Sequence, residues 1–150
     1  MYDPTAAYRS TQITSSSPAA QIVLLYEGAI RFGVQHLGAL DRGDLEAAHN
    51  ASIRCQAIVA GLQETLNLSA GPIAERLDRL YDFILRRLAE GNVTKQARPT
   101  EEALALLRGL LEAWHEVATS QRSAPPARTA SPAVRATVAT SQHASVGGVR

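Results

Sequence analysis

The stretch LEAAHNASIRCQAIVAGLQETL, residues 45–66, decides the fold. Within it Leu45, Ala48, Ser52, Cys55, Val59, Leu62 and Leu66 recur at alternating steps of three and four. An α-helix turns once in about 3.6 residues, so this spacing draws a single stripe along one helix face. Alternating threes and fours make the a/d seam of a heptad, interrupted here only by Ser52. A half-buried strand would need apolar and polar residues in strict alternation, and no part of the chain reads that way. Asp44 stands in front of the stretch as a helix cap. Behind it, Asn67-Leu68-Ser69-Ala70-Gly71-Pro72 closes the helix and opens another, with Pro72 near the first position.

A striped helix must bury its stripe against something, and the flanking sequence supplies three partners. Upstream, Ser17 and Pro18 form a start signal for a helix whose apolar residues are Val23, Tyr26, Ile30, Val34 and Leu37, closed by Asp41-Arg42-Gly43-Asp44. Downstream, Ile73, Leu77, Leu80, Ile84 and Leu88 predict a third helix that Glu90-Gly91-Asn92 ends. Pro99-Thr100-Glu101-Glu102 then predicts a fourth start, with Thr100 as cap and two acids facing the helix dipole. The seam of that helix is Leu104, Leu107, Leu111, Trp114 and Ala118. Four helices of about 20 residues are each roughly 30 Å long, and short links favour antiparallel neighbours. The expected fold is therefore all-α: an antiparallel up-down-up-down four-helix bundle over residues 18–122. An extended polar N-terminal segment, 1–17, precedes it. Residues 123–150 carry no acid, Leu, Ile or aromatic residue, and three prolines, so they are expected to form a disordered tail.

Composition narrows the function classes. Fifteen Lys+Arg against 14 Asp+Glu leave a formal charge of +1, which gives no strong attraction to nucleic acid or to an anionic membrane. The chain is 45% hydrophobic but only 5% aromatic, so its core is aliphatic. Its single cysteine, Cys55, excludes an internal disulfide and a thiolate zinc site. No apolar run reaches the roughly 18 residues of a membrane span, and MYDPTAAYRS shows no secretory pattern. The expectation is a soluble intracellular protein without membrane insertion.

The search for chemistry yields one constellation. Glu46-Ala-Ala-His49 and Glu112-Ala-Trp-His115 are two Glu-x-x-His sequences on the second and fourth helices, a pattern used by carboxylate di-iron bundles. Each of these four residues directly follows a seam residue, which turns it about 100° from the core. Glu46 also lies in the first turn of its helix and Glu112 about 12 residues into its own, an axial mismatch of roughly 15 Å between parallel helices. No metal and no cofactor are expected. Phosphate loops, His-Glu-x-x-His and Gly-x-Ser-x-Gly are absent. Cys55 reads as a small buried residue, Trp114 as a core anchor and His36 as a flanking or solvated side chain. Arg86 and Arg87, preceded by Asp78 and Asp82, read as a solvated face with helical ion pairs.

What remains is more apolar surface than four stripes need. Ile22-Val23-Leu24-Leu25-Tyr26 is apolar around the whole helix. Leu106, Leu110, Ala113 and Val117 form a second stripe on the fourth helix. Ile53, Ala57 and Ala60 flank the seam of the second and are small enough to leave a groove. Such surplus belongs either to a wide core or to a face that receives a partner, and periodicity leaves both open. The N-terminal segment, with Tyr2, Tyr8 and Ile13, has the character of a strap that could cover such a groove.

These pieces resemble the flagellin export chaperones, the FliS family. The resemblance rests on Ala7-Tyr8, on Thr14-Ser15-Ser16-Ser17-Pro18 leading into Ile22-Val23-Leu24-Leu25-Tyr26-Glu27-Gly28-Ala29-Ile30, and on Leu62-Gln-Glu-Thr-Leu66-Asn67. It continues through Leu77-Asp-Arg-Leu80-Tyr81-Asp82-Phe83, Arg87-Leu88 and Leu110-Leu111-Glu112-Ala113-Trp114. It covers about residues 1–120 and leaves the tail out. Asn67 and Glu27 stand where the family usually has Asp. The resemblance implies a cytoplasmic chaperone, not an enzyme, that binds the disordered C-terminal segment of flagellin, blocks its premature polymerisation and aids type III export. It also implies contact with export-gate components and release without ATP. The contact residues expected from the surplus faces and the matched signature are Tyr8, Ile13, Tyr26, Ile53, Ala57, Ala60 and Glu64. The competing expectations are a structural bundle that buries its extra stripes in a homodimer, and a metal-binding carboxylate bundle.

Overall fold

A computed structural model describes residues 17–123, with side chains up to residue 120. Four α-helices follow in order: α1 Pro18–Arg42, α2 Leu45–Glu64, α3 Pro72–Thr94 and α4 Ala97–Ser123, with a 3-10 turn at Leu68–Ala70 between α2 and α3. Among the described residues there is no strand. The readings placed on the N-terminal segment and the tail, including those on Tyr8 and Ile13, lie outside the described residues. The first boundaries fall where turn chemistry predicts. Ser17 Oγ accepts a hydrogen bond from the Ala20 N–H at 3.2 Å, and Pro18 occupies the first turn. Gly43 ends α1 in the left-handed region at φ 75°, where a Cβ would be strained. Asp44 Oδ1 then accepts from the Ala47 N–H at 3.1 Å and starts α2.

The helices form a ring. His36 Nδ1 meets the Ala48 carbonyl across α1 and α2 at 2.8 Å, and His49 meets Asn92 across α2 and α3 at 3.0 Å. Arg87 reaches Glu102 across α3 and α4, and His115 lies 3.7 Å from Glu27, closing α4 onto α1. In every adjacent pair the late residues of one helix meet the early residues of its neighbour, which is the antiparallel up-down-up-down arrangement. Inside the ring, Cys55, Val59, Leu62, Ile84, Leu88, Leu104 and Leu107 are fully buried. Each fully buried Leu or Ile side chain favours folding by about 1.5–3 kcal/mol.

Several expectations need correction. Gly91 and Asn92 do not end α3, which runs on to Thr94 before Lys95 turns left-handed at φ 57°. Thr100 does not cap α4, which begins at Ala97 and buries Thr100 completely. Gly91 is a contact point: a Cβ there would lie 2.4 Å from Thr100 Oγ1. Secondly, the buried face of α1 below Tyr26 is Ala29, Gly33 and His36, not Ile30, Val34 and Leu37, and Val34 is 46% exposed. Small residues let α4 approach, with Leu104 Cδ2 only 2.5 Å from where a Cβ of residue 33 would stand. His36 is thus buried, not solvated; its Nδ1 is matched by the Ala48 carbonyl, while its Nε2 is buried without a hydrogen-bond partner among the described residues. Thirdly, α3 turns Tyr81 inward in place of Leu80, and Ile73 is largely exposed, as is Leu45 at the start of α2. The arginines also pair differently. Arg87 bonds Glu90 and Glu102, whereas Asp78 and Asp82 accept hydrogen bonds from Gln63.

Candidate partner-binding face

The seam of α2 points into the ring, so the residues half a turn away point out. Ile53, Ala57, Ala60 and Glu64 are spaced by four, three and four and therefore share that outer face. Ile53 is 47% exposed, Ala57 and Glu64 are exposed, and Ala60 is half-buried. Around Gly61 there is open space. Gln63 Nε2 donates to Asp78 Oδ1 at 3.0 Å and to Asp82 Oδ1 at 2.8 Å. Together with His49–Asn92 at the other end, these bonds set the register of α2 against α3. In that register the half-buried Leu85 and Ala89 of α3 lie alongside Ala57 and Ile53. Val93, 80% exposed, extends the apolar strip toward the α3 end. The result is a shallow strip of small and aliphatic side chains with a carboxylate, Glu64, at one end. It offers close approach to an apolar helix.

The sequence did not single out Leu85, Ala89 and Val93. Leu85 and Ala89 are an apolar pair four apart, off the α3 seam, and that spacing was the available signal. Val93 was hidden by reading Gly91 and Asn92 as a helix stop. The other surplus stripes fit the wide-core alternative except at Ala113, which is exposed. Leu25, Leu106, Leu110 and Val117 are partly buried and pack on the core. Exposed apolar surface on α2 is not accounted for in that way.

Tyr26 does not join the outer strip. It is fully buried, its hydroxyl 2.5 Å from that of Tyr81, with the two rings 6.5 Å apart. Burial, reinforced by the Tyr81 hydroxyl, pushes the Tyr26 phenol well above its ordinary range, and burial raises Tyr81 to about 12. Both therefore stay neutral and hydrogen-bonded. Cys55 is buried as well, and desolvation pushes its thiol up to about 12, far from the thiolate a nucleophile needs. Trp114 is a core anchor at 4% exposure. The four residues of the Glu-x-x-His sequences are all exposed; His49 is bonded to Asn92, and His115 lies beside Glu27. Among the described residues no three His, Cys, Asp or Glu side chains converge on a point that could hold a metal ion. No described helix is long and apolar enough to cross a membrane.

Comparison with known proteins adds a family. The family model described as flagellar protein FliS matches residues 1–121. The chain is similar to the flagellar secretion chaperone FliS of Salmonella typhimurium, at 34% identity over 107 residues, covering 70% of this chain and 79% of the relative. It is likewise similar to the flagellar secretion chaperone FliS of Campylobacter jejuni, at 33% identity over 112 residues, with 74% and 88% covered. The flagellar secretion chaperone FliS of Bacillus subtilis matches at 24% identity over 120 residues, with 80% and 90% covered.

Proposed function

The chain belongs to the FliS family, and from that membership we propose that it is a cytoplasmic export chaperone whose client is the C-terminal segment of flagellin. The observation that carries the reading is the outer face of α2, where Ile53, Ala57 and Ala60 expose apolar surface that the bundle leaves uncovered. A client helix would lay its apolar side on this strip, anchored at helical spacing. Small side chains at Ala57 and Ala60 let its backbone come close. Glu64 would meet a cationic or amide group at the end of the strip. Tyr26 contributes from inside, by holding α1 and α3 together beneath the surface that binds. Tyr8 and Ile13 belong to the strap that would cover the strip before the client arrives.

The mechanism is binding coupled to folding, without catalysis. A disordered client must be ordered on the bundle, which costs about 2–5 kcal/mol and requires a large apolar interface. No nucleotide is needed, so release comes from competition by export-gate components. Holding the segment in this way keeps flagellin from polymerising before export.

Calorimetric titration with a flagellin C-terminal peptide of about 40 residues, roughly 60 Å if fully helical, tests this. The expected result is a 1:1 isotherm with a clearly negative heat-capacity change. Ala57→Glu or Ala60→Glu is expected to weaken binding at least about tenfold while leaving helicity unchanged, since a desolvated unpaired charge costs more than 1.4 kcal/mol. If binding survives both changes, the client sits elsewhere. If the folded wild-type chain binds no flagellin peptide, the chaperone reading fails, and sedimentation then tests the self-associating bundle.

A further inference from the structure

A second surface lies between α1 and α2, on the side of α2 turned away from α3. It is a groove of about 510 Å³. Val34, Gly38, Ala47 and Ala51 give it apolar walls, and Arg42 and Arg54 complete its lining together with Gln35 and Asn50. The antiparallel register set by His36 and Ala48 puts Arg42 level with the start of α2, and Arg54 level with Phe32, about two helical turns away. Neither guanidinium is paired with an acid among the described residues. The Arg42 Nη1 atom lies 3.5 Å from where a Cβ of Gly38 would be, so its head rests over the groove. Arg54 Cζ stands 5.7 Å from the centre of the Phe32 ring, and Arg31 Cζ is at the same distance from it.

No carboxylate lines the groove. None of the three arginines enters an ion pair among the described residues. The nearby Asp44 is occupied as the cap of α2. Two guanidiniums gathered on one aromatic ring, with a third over an apolar groove at the end of α1, repel one another; the ring and the helix C-terminus attract them, but none is matched by an ion pair among the described residues. An anionic ligand would relieve that repulsion, and each planar fork can take a carboxylate through two hydrogen bonds.

We propose that the α1–α2 groove docks an acidic helical segment of a partner protein, distinct from the client on the outer strip. Its signature is two carboxylates about seven residues apart, near 11 Å along a helix, with a Leu- or Ile-sized side chain between them. The carboxylates meet Arg42 and Arg54, and the aliphatic anchor sits against Val34, Ala47 and Ala51. The apolar walls favour a peptide over nucleic acid, which would want an open aromatic platform that this lining lacks.

The test uses the full chain and a labelled alanine-rich helical peptide of about 15 residues, with two glutamates seven apart and a leucine midway. Fluorescence anisotropy is expected to show saturable binding that weakens as salt rises from about 50 to about 300 mM. Changing both glutamates to glutamine, or combining Arg42→Glu with Arg54→Glu, is expected to lower affinity about tenfold or more. Ala60→Glu, on the outer strip and six residues from Arg54, is expected to leave it unchanged, which separates this groove from the outer strip. Equal binding of the glutamine peptide, or indifference to the paired charge reversals, overturns the proposal. So does loss of flagellin-peptide binding in the paired variant, which would make the groove part of the client surface. Tight binding of an oligothymidine that the same reversals abolish, with no peptide binding, would assign the groove to nucleic acid. A self-association seen by sedimentation and lost in that variant would assign it to a second copy.

Discussion

Tyr26 was legible as a seam residue because it falls on the stripe of α1, but its partner Tyr81 was not. The α3 sequence offers Leu80 and Tyr81 side by side, and a hydroxyl in an aliphatic core reads as a cost. The cost disappears because the two hydroxyls satisfy each other at 2.5 Å. Tyr26→Phe removes one partner and leaves the Tyr81 hydroxyl buried and unsatisfied, so it is expected to cost about 1–3 kcal/mol in urea unfolding. The double variant with Tyr81→Phe is expected to cost less than the sum of the two single changes, because no orphan hydroxyl remains. The same pair makes an alkaline prediction. Both phenols have folded pKa values raised above the ordinary value of 10.0. Their contribution is therefore fully present below about pH 10 and is lost as pH rises, since only the unfolded chain then sheds the protons. Stability is expected to fall above that pH, and more gently in the double Phe variant.

The α3–α4 corner shows what an element boundary needs. Gly and Asn at 91 and 92, and Pro-Thr-Glu-Glu at 99–102, are ordinary stop and start signals. Packing overrides them. The corner is tighter than the signals imply, and Gly91 allows Thr100 and the backbone around Gln96 to lie against α3. Gly91→Ala, normally worth about 1 kcal/mol to a helix, is expected to destabilise by about 1–3 kcal/mol, because the backbone atoms 3.3 Å away cannot step aside. Adding Thr100→Ala removes the closest atom and is expected to recover part of the loss, as measured by thermal unfolding. Further along, Arg87 donates through Nε and Nη2 to Glu102 Oε1 at 3.0 and 2.7 Å, and Arg98 reaches the other oxygen. The hydrogen bond from Arg87, helped by its charge and by Arg98, holds the Glu102 carboxyl below the usual carboxylate range. A lowered folded pKa contributes stability above the unfolded value and loses it as pH falls through the folded one. Glu102→Gln is expected to flatten that acid limb of a urea-midpoint profile while leaving the alkaline limb unchanged.

For the whole molecule, most of the surplus apolar surface on α1 and α4 widens the core through Leu25, Leu106, Leu110 and Val117, leaving Val34 and Ala113 exposed, whereas on α2 Ile53 and Ala57 stay exposed. A ligand that binds only the folded chain raises its stability by mass action, about 2.7 kcal/mol at 100 times its Kd. The flagellin peptide is therefore expected to raise the unfolding midpoint of the wild-type chain. Ala57→Glu, an exposed substitution, is expected to abolish that rise while moving the midpoint without peptide by no more than about 0.5 kcal/mol. The residue pattern alone determined that four amphipathic helices form, where α1 and α2 start, and that they pack as an antiparallel ring. Periodicity and capping are local properties, and short links leave few topologies. It also placed Ile53, Ala57, Ala60 and Glu64 on one face, since spacing sets angle. Only the tertiary structure decided which of two neighbouring stripes on α1 and α3 turns inward, because adjacent residues differ by about 100°; on α1 close approach selects the small residues, and on α3 the hydroxyl pair with Tyr26 goes with the inward tyrosine. Only it decided that Tyr81 and His36 are buried and that three arginines gather beside an acid-free groove, because those facts depend on residues far apart in sequence.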